Sequence, residues 1–308
     1  MSIERAEGLA EQLRDARIEG GAFRLPPRSL IRISGTDAFR YLNGQVTRDL
    51  GRLKEGEALP ACILTPKGKL CATLFIHRSG PIDFGIGKSD LLVESPLEVR
   101  ELLIERLERY IVADDVVLKI EEDPGGIHFF GKFAVSGPGL GLLGSVVTRL
   151  GVPGLDVEPR SAEKVAQPLL DPRVVEVLRI ERRIPLWGSE LDTKTLPPEA
   201  GLDFSHIDYD RGCYPGQEVI SRLKSIGRVN RSLRLLTAKN PTAIPAGTAL
   251  VNSSGQRVGV ITSSAIQFDK GATIALGYLP LIIPEAFFAL DPLTGCGTSI
   301  SIVADTPQ

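Results

Sequence analysis

Glycine and proline interrupt this 308-residue chain often, at 32 and 22 positions, which favours short elements over long helices. Both residues end regular elements, glycine through its backbone freedom and proline through its fixed φ and missing N–H. The chain is therefore expected to consist mostly of short elements joined by turns, which predicts an α+β protein.

The patterning locates several of those elements. Ile31-Arg32-Ile33 alternates as a strand does, and Gly35-Thr36-Asp37 then opens a helix through Ala38 to Leu42. Ala61 to Thr65 and Leu70 to Ile76 are β-prone runs flanking Pro66-Lys67-Gly68-Lys69, which predicts a hairpin with Cys62 and Cys71 in its core. Ser95-Pro96-Leu97-Glu98 reads as a capping box, followed by Val99, Leu102, Leu103 and Leu107 on one face. Asp171-Pro172 starts another helix, carrying Val174, Val177, Leu178 and Glu181 and ending before Pro185. Trp187, the single tryptophan, is expected in a loop as a packed anchor. After Arg231 only short β-prone pieces remain, at 232–237, 249–252, 257–263 and 273–279, which predicts a small all-β barrel or sandwich. No internal repeat or low-complexity linker is visible.

The length allows two or three domains, and 43% hydrophobic with 24% charged residues is a globular composition. A net charge of -2 gives no bulk electrostatic footprint for nucleic acid or for an anionic membrane. Met1 to Gly20 lacks the apolar run of a signal peptide or membrane anchor, so a cytoplasmic location is expected. Cysteines 62, 71, 213 and 296 form no C-x-x-C pair, which argues against a zinc ion or iron-sulfur cluster held by the protein itself. His77, His128 and His206 are also scattered, which leaves a Cys-His pair assembled in three dimensions open, and His206 is nearest Cys213 along the chain.

Chemistry concentrates in Arg211-Gly212-Cys213-Tyr214-Pro215-Gly216-Gln217-Glu218. Pro215 suits the first position of a helix, with Val219, Leu223 and Ile226 following on one face and Gly227 as its stop. A thiolate at the positive end of that helix and beside Arg211 would be stabilised, which makes Cys213 a candidate nucleophile. The competing reading is a small buried residue filling a tight turn. Glu218 with Arg222, and Gln217 with Ser221, stand at i, i+4 and would line one side of the helix with polar groups.

The octapeptide resembles the K-G-C-[YF]-x-G-Q-E signature of the YgfZ family, the folate-binding relatives of the glycine-cleavage T-protein that serve iron-sulfur cluster assembly and repair, with Arg211 in place of lysine. Four other segments resemble that family in the same order. Gly35-Thr36-Asp37-Ala38 with Tyr41-Leu42 and Thr47-Arg48-Asp49-Leu50 is similar to its amino-terminal pattern, and Leu64 to Lys69 to its hairpin. Arg179 to Pro185 resembles R-I-E-x-G-I-P with Arg183 where glycine is usual, and Gln256 to Ser263 resembles a strand of its carboxy-terminal barrel.

The resemblance implies a ring of three subdomains, two of mixed α/β character and a C-terminal all-β barrel, divided here as residues 1–230 and 231–308. It also implies tetrahydrofolate as ligand, iron-sulfur client or assembly proteins as partners, and Cys213 as the reactive group. Arg211, Tyr214, Gln217, Glu218 and Arg222 would order the turn or contact the ligand, with Asn43 and Glu199 as further candidates for the folate pocket. An active aminomethyltransferase and a non-catalytic scaffold are the rivals. The T-protein's acidic N-x(n)-D segment and its Y-T-G-E-x-G-x-E stretch are missing at Leu92 to Glu98 and at Phe130 to Gly137. Glu94 or Glu98 could substitute as the acid, although Glu98 is already read as part of a cap.

Overall fold

The computed structural model describes residues 3–78, 90–136, 144–157, 168–282, 287–290 and 297–303. Three antiparallel sheets organise it. The first has the order β3-β4-β5-β2-β6 and is formed by β2 (Arg28–Ser34), β3 (Ala58–Leu64), β4 (Leu70–Arg78), β5 (Leu91–Pro96) and β6 (Val117–Glu121). Its inner face packs Ile31, Ile33, Ile63, Leu74 and Ile76 against Leu42, Leu103 and Leu107 of two helices, Ala38–Asn43 and Arg100–Glu108. The second has the order β1-β7-β9-β8, from β1 (Gly20–Arg24), β7 (Ile127–Gly131), β8 (Gly144–Val147) and β9 (Gly154–Val157).

The third closes on itself as a barrel in the order β10-β13-β12-β11-β14-β15. Its strands are β10 (Arg231–Ala238), β11 (Ala249–Asn252), β12 (Arg257–Gln267), β13 (Ala272–Pro280), β14 (Phe287–Leu290) and β15 (Gly297–Ile302). The four carboxy-terminal β-prone runs thus become β10 to β13, and β14 and β15 complete the closure. The Pro172–Glu181 helix and the amino-terminal Ile3–Ile18 helix pack on the barrel through Leu9, Leu13, Val174 and Val177.

Where local chemistry sufficed, elements form as the sequence predicts. Asp171 caps the Pro172–Glu181 helix by accepting from Arg173 N at 2.9 Å, and its carboxyl is pulled down to about 2 by the Arg173 side chain. The hairpin forms in register, Cys62 opposite Thr73, and both Cys62 and Cys71 are buried. Trp187 sits in a loop, half-buried against the cores of the first sheet and of the 200–220 region. Cys296 lies outside the described residues.

Two local readings are corrected. Ser95 does not cap a helix, because β5 continues pairing with β2 through Ser29 opposite Ser95 and Arg28 opposite Pro96. Ser95 is 4% exposed inside that ladder, a single 3₁₀ turn follows at Leu97–Val99, and the helix starts only at Arg100. Pro215 is not helical, because Gly216 reverses the chain at φ 87° and the helix runs Gln217–Ser225. The face that this helix buries is centred on Ile220, while Ile226 lies past its end and is 87% exposed.

Candidate functional site

Three segments meet around Cys213: the strap from Asn43 to Leu50, the hairpin tip from Thr65 to Lys69, and the octapeptide. The tip closes through Thr65 N donating to Lys69 O at 2.8 Å and Gly68 N donating to Thr65 O at 2.9 Å. A Cβ on Gly216 would lie 2.5 Å from Thr65 O, and one on Gly68 would meet Val219 at 3.0 Å. Both glycines therefore allow the helix start to press directly on the hairpin.

Arg211 staples the octapeptide to the strap. Its guanidinium donates to the carbonyls of Val46 at 2.9 Å, of Arg48 and Asn43, and of Gly212 at 3.0 Å. Burial, its largest influence, lowers its pKa from the ordinary value, with Asp49, Tyr214, Asp208 and Cys213 acting the other way. The cation expected to favour a thiolate is thus spent mainly on backbone carbonyls. Tyr214 anchors the turn, 6% exposed among Cys62, Leu64, Leu70, Leu202 and Ile220, and burial pushes its hydroxyl up to about 12.

Cys213 itself is exposed and free, and it has no hydrogen-bond partner among the described residues. It precedes the first residue of the helix by four positions and so stands outside the turn in which the helix dipole acts. His206 is not paired with it: its Nδ1 lies 2.7 Å from Ser205 Oγ, and burial, then Arg48, push the imidazole down to about 4. The chain nevertheless presents the thiol on a rigid loop, since Thr47 Oγ1 donates to His206 O, Asp208 N donates to Thr47 O at 3.0 Å, and Asp208 lies 3.0 Å from both Arg48 and Arg52.

The other candidate residues divide into two groups. Asn43 and Glu199 are engaged structurally. Asn43 Oδ1 accepts from Leu50 N at 2.8 Å, while Glu199 Oε2 accepts from Leu196 N at 3.3 Å and from Arg231 at 3.1 Å. Among the described residues the Gln217 side chain donates only to Arg211 O, at 3.4 Å. Glu218 and Arg222 are exposed and have no ion pair among the described residues. The helix face beside Cys213 therefore offers Gln217, Glu218 and Arg222 to a ligand, and Arg222 is a cation suited to carboxylates.

Glu94 is excluded as a proton donor. It is 4% exposed and accepts from Arg149 at 2.6 and 2.8 Å and from Arg28 at 3.1 Å. Burial, the largest influence, pushes its carboxyl up, but Arg149, His77 and Arg28 together hold it well below the usual carboxylate range. Arg149 also binds Asp156 of β9, so this charge cluster joins the first two sheets. Glu190, which the sequence reading passed over, is a second buried carboxylate. It accepts from Arg179 at 3.1 Å, Leu186 N at 3.0 Å and Ser263 Oγ at 2.6 Å. A glutamate after Gly188-Ser189 looks like any solvated turn residue, so nothing local distinguishes it.

Among the described residues, no group of His, Cys, Asp and Glu could hold a metal ion, and no helix is long and apolar enough to cross a membrane.

No family model matches the chain. An aminomethyltransferase of Nostoc sp. (strain PCC 7120 / SAG 25.82 / UTEX 2576) is 24% identical over 305 residues, covering 89% of this chain and 80% of its own. The tRNA-modifying protein YgfZ of Aliivibrio fischeri (strain MJ11) is 26% identical over 281 residues, covering 83% and 84%. The YgfZ protein of Hamiltonella defensa is 27% identical over 264 residues, covering 79% and 78%. Among solved structures, the glycine cleavage system aminomethyltransferase T of Bartonella henselae superposes with a TM-score of 0.78 at 17% identity, over 96% of this chain and 88% of that one. These relatives and the shared fold agree with the octapeptide and the ordered segments around it: the chain is similar in sequence to both YgfZ proteins and aminomethyltransferases, and it has the fold of the latter.

Proposed function

We propose that this chain is a folate-binding, YgfZ-like factor that acts in iron-sulfur cluster assembly or repair through the thiol of Cys213. The observation that carries the reading is an exposed cysteine on a loop immobilised from three sides, by Arg211 on the strap, Gly216 on the hairpin and Tyr214 in the core. Such a thiol can react with a partner without the loop reordering. It would act on cluster sulfur, iron or a redox equivalent belonging to client or assembly proteins in the cytoplasm. Residues 1–230 would form the folate-binding region and 231–308 the barrel domain.

The side chains present suit a reduced folate on the exposed helix face. Arg222 would meet the glutamate carboxylates, and Gln217 and Glu218 would meet polar ring or amide groups. Arg211 and Tyr214 act one step back by holding the loop, as Asn43 holds the strap and Glu199 the approach to the barrel. Bound tetrahydrofolate would supply a carrier for one-carbon units.

The test is Cys213→Ser, scored by the activity of cluster-dependent enzymes under oxidative stress; unchanged activity removes the thiol from the mechanism. Calorimetric titration with 5-formyltetrahydrofolate should give saturable heat, and a flat trace removes the folate. The aminomethyltransferase reading draws on the length over which the Nostoc relative aligns. Release of ammonia with formation of methylenetetrahydrofolate from an aminomethyl donor would establish it, although Glu94, locked between Arg149 and Arg28, is not free to donate the proton. Iodoacetamide reaction across pH separates both from a scaffold: an apparent thiol pKa near 8.5 or above favours the scaffold.

A further inference from the structure

An open cavity of about 870 Å³ lies between the 203–210 segment, the end of the Gln217–Ser225 helix, Val229 to Ser232 and Leu281. Neither Cys213 nor Gln217, Glu218 or Arg222 lines it, so it is separate from the thiol's face. Its walls are largely apolar, from Pro198, Ile207, Leu223, Val229 and Leu281, and Phe204 stands at it 85% exposed. Its volume lies within the range of small-molecule sites.

Four polar groups give the cavity its chemistry. Ser232 Oγ is buried with no hydrogen-bond partner among the described residues, a state that a ligand group could relieve. The Asp203 carboxyl has no salt bridge among the described residues, and burial raises its pKa from the ordinary value despite its own backbone N–H and Lys224. Lys224 Nζ lies 3.6 Å from the centre of the Tyr209 ring, and Arg228 is exposed without an ion pair among the described residues. The remaining acids, Asp208 and Asp210, are already matched by Arg48 and Arg52.

We propose that this cavity binds a planar ring with two adjacent N–H donors and an anionic tail, of which a guanine nucleotide is the favoured source. An ionised carboxylate only accepts hydrogen bonds. Guanine presents its ring N–H and its 2-amino group side by side, which one carboxylate can take together, whereas adenine sets an acceptor beside its amino group. The ring would lie against Phe204, with its edge on Asp203 and its phosphate toward Lys224 and Arg228. A pterin carries the same donor edge, so a reduced folate is the other source of this chemistry.

The full-length chain is titrated calorimetrically with guanosine monophosphate, adenosine monophosphate and 5-formyltetrahydrofolate. The same titrations are run on Asp203→Asn and Arg228→Ala, with thermal melts to show that both variants fold; Arg228 is exposed, so its truncation keeps the test open should Asp203→Asn misfold. The expected result is saturable binding of the guanine nucleotide, weakened roughly tenfold or more by either variant and matched by no comparable adenine binding. Folate heat that Asp203→Asn weakens likewise supports the cavity and names the pterin as its occupant. The proposal is overturned when neither the guanine nucleotide nor the folate shows binding that either variant weakens, or when adenine binds as tightly as guanine. Folate heat indifferent to both variants belongs to the helix face beside Cys213 and leaves the folate reading standing on its own.

Discussion

Arg183 holds φ at 54°, the single positive value on a non-glycine residue among the described residues, and it stands where the resembling R-I-E-x-G-I-P segment has glycine. A left-handed side chain costs roughly 1–2 kcal/mol, which glycine avoids at some expense in chain entropy. Arg183→Gly is therefore expected to stabilise the fold by up to about 1 kcal/mol, read as a higher urea midpoint at constant m-value. A lower midpoint would mean that the contacts of the Arg183 side chain outweigh its strain. This strain was legible in the sequence as a mismatch within a motif. The environment of Cys213 was not. Its position between glycines was visible, but the direction of Arg211 depends on carbonyls of the strap, which no local pattern predicts.

Between elements, the decisive contact is helix start against hairpin tip. Gly216→Ala would place a Cβ 2.5 Å from Thr65 O in a left-handed residue. A loss of roughly 2 kcal/mol or more is expected in urea unfolding, together with faster iodoacetamide labelling of Cys213 as the loop loosens. The hairpin was legible because alternation and a Pro-Lys-Gly-Lys turn agree. The helix start was misplaced because a proline two residues too early satisfied the local rule, while a distant hairpin dictates the turn. The strap and the 205–208 segment make a pH prediction. His206 is pushed down to about 4 by burial and Arg48, against an ordinary 6.5, so the unfolded chain binds the extra proton between those values. Its contribution is fully present above the higher value and is lost as pH falls toward the lower one, about 2 kcal/mol at roughly pH 5. His128, lowered chiefly by burial, acts in the same direction. His206→Gln should flatten the slope of urea stability between pH 6.5 and 5, and an unchanged slope would remove His206 from the balance.

At the scale of the molecule, buried charge joins what the sequence shows as separate parts. The barrel was legible from turn spacing alone, and the α+β character from glycine and proline. The joints were not, because Glu190 and the Arg28–Glu94–Arg149–Asp156 cluster draw partners from several sheets and read singly as surface charges. Glu190 ties Arg179 of one helix to Ser263 of β12, and its carbonyl accepts from Tyr278 of β13 at 2.9 Å. Glu190→Gln should cost about 3 kcal/mol and be seen in Trp187 fluorescence during urea unfolding, with an early barrel-specific transition if this joint sets cooperativity. Closure of the barrel has a further consequence, for the behaviour of the chain in crowded solution. A closed sheet offers no unpaired N–H and C=O row, so templated strand addition must start elsewhere. Among the described residues the first sheet has two edges, β3 and β6; β3 is almost wholly buried, whereas on β6 Val117 and Ile120 are 58% and 50% exposed. Fibrillar self-association of this protein would therefore be seeded at β6, and its carboxy-terminal barrel would be carried along folded.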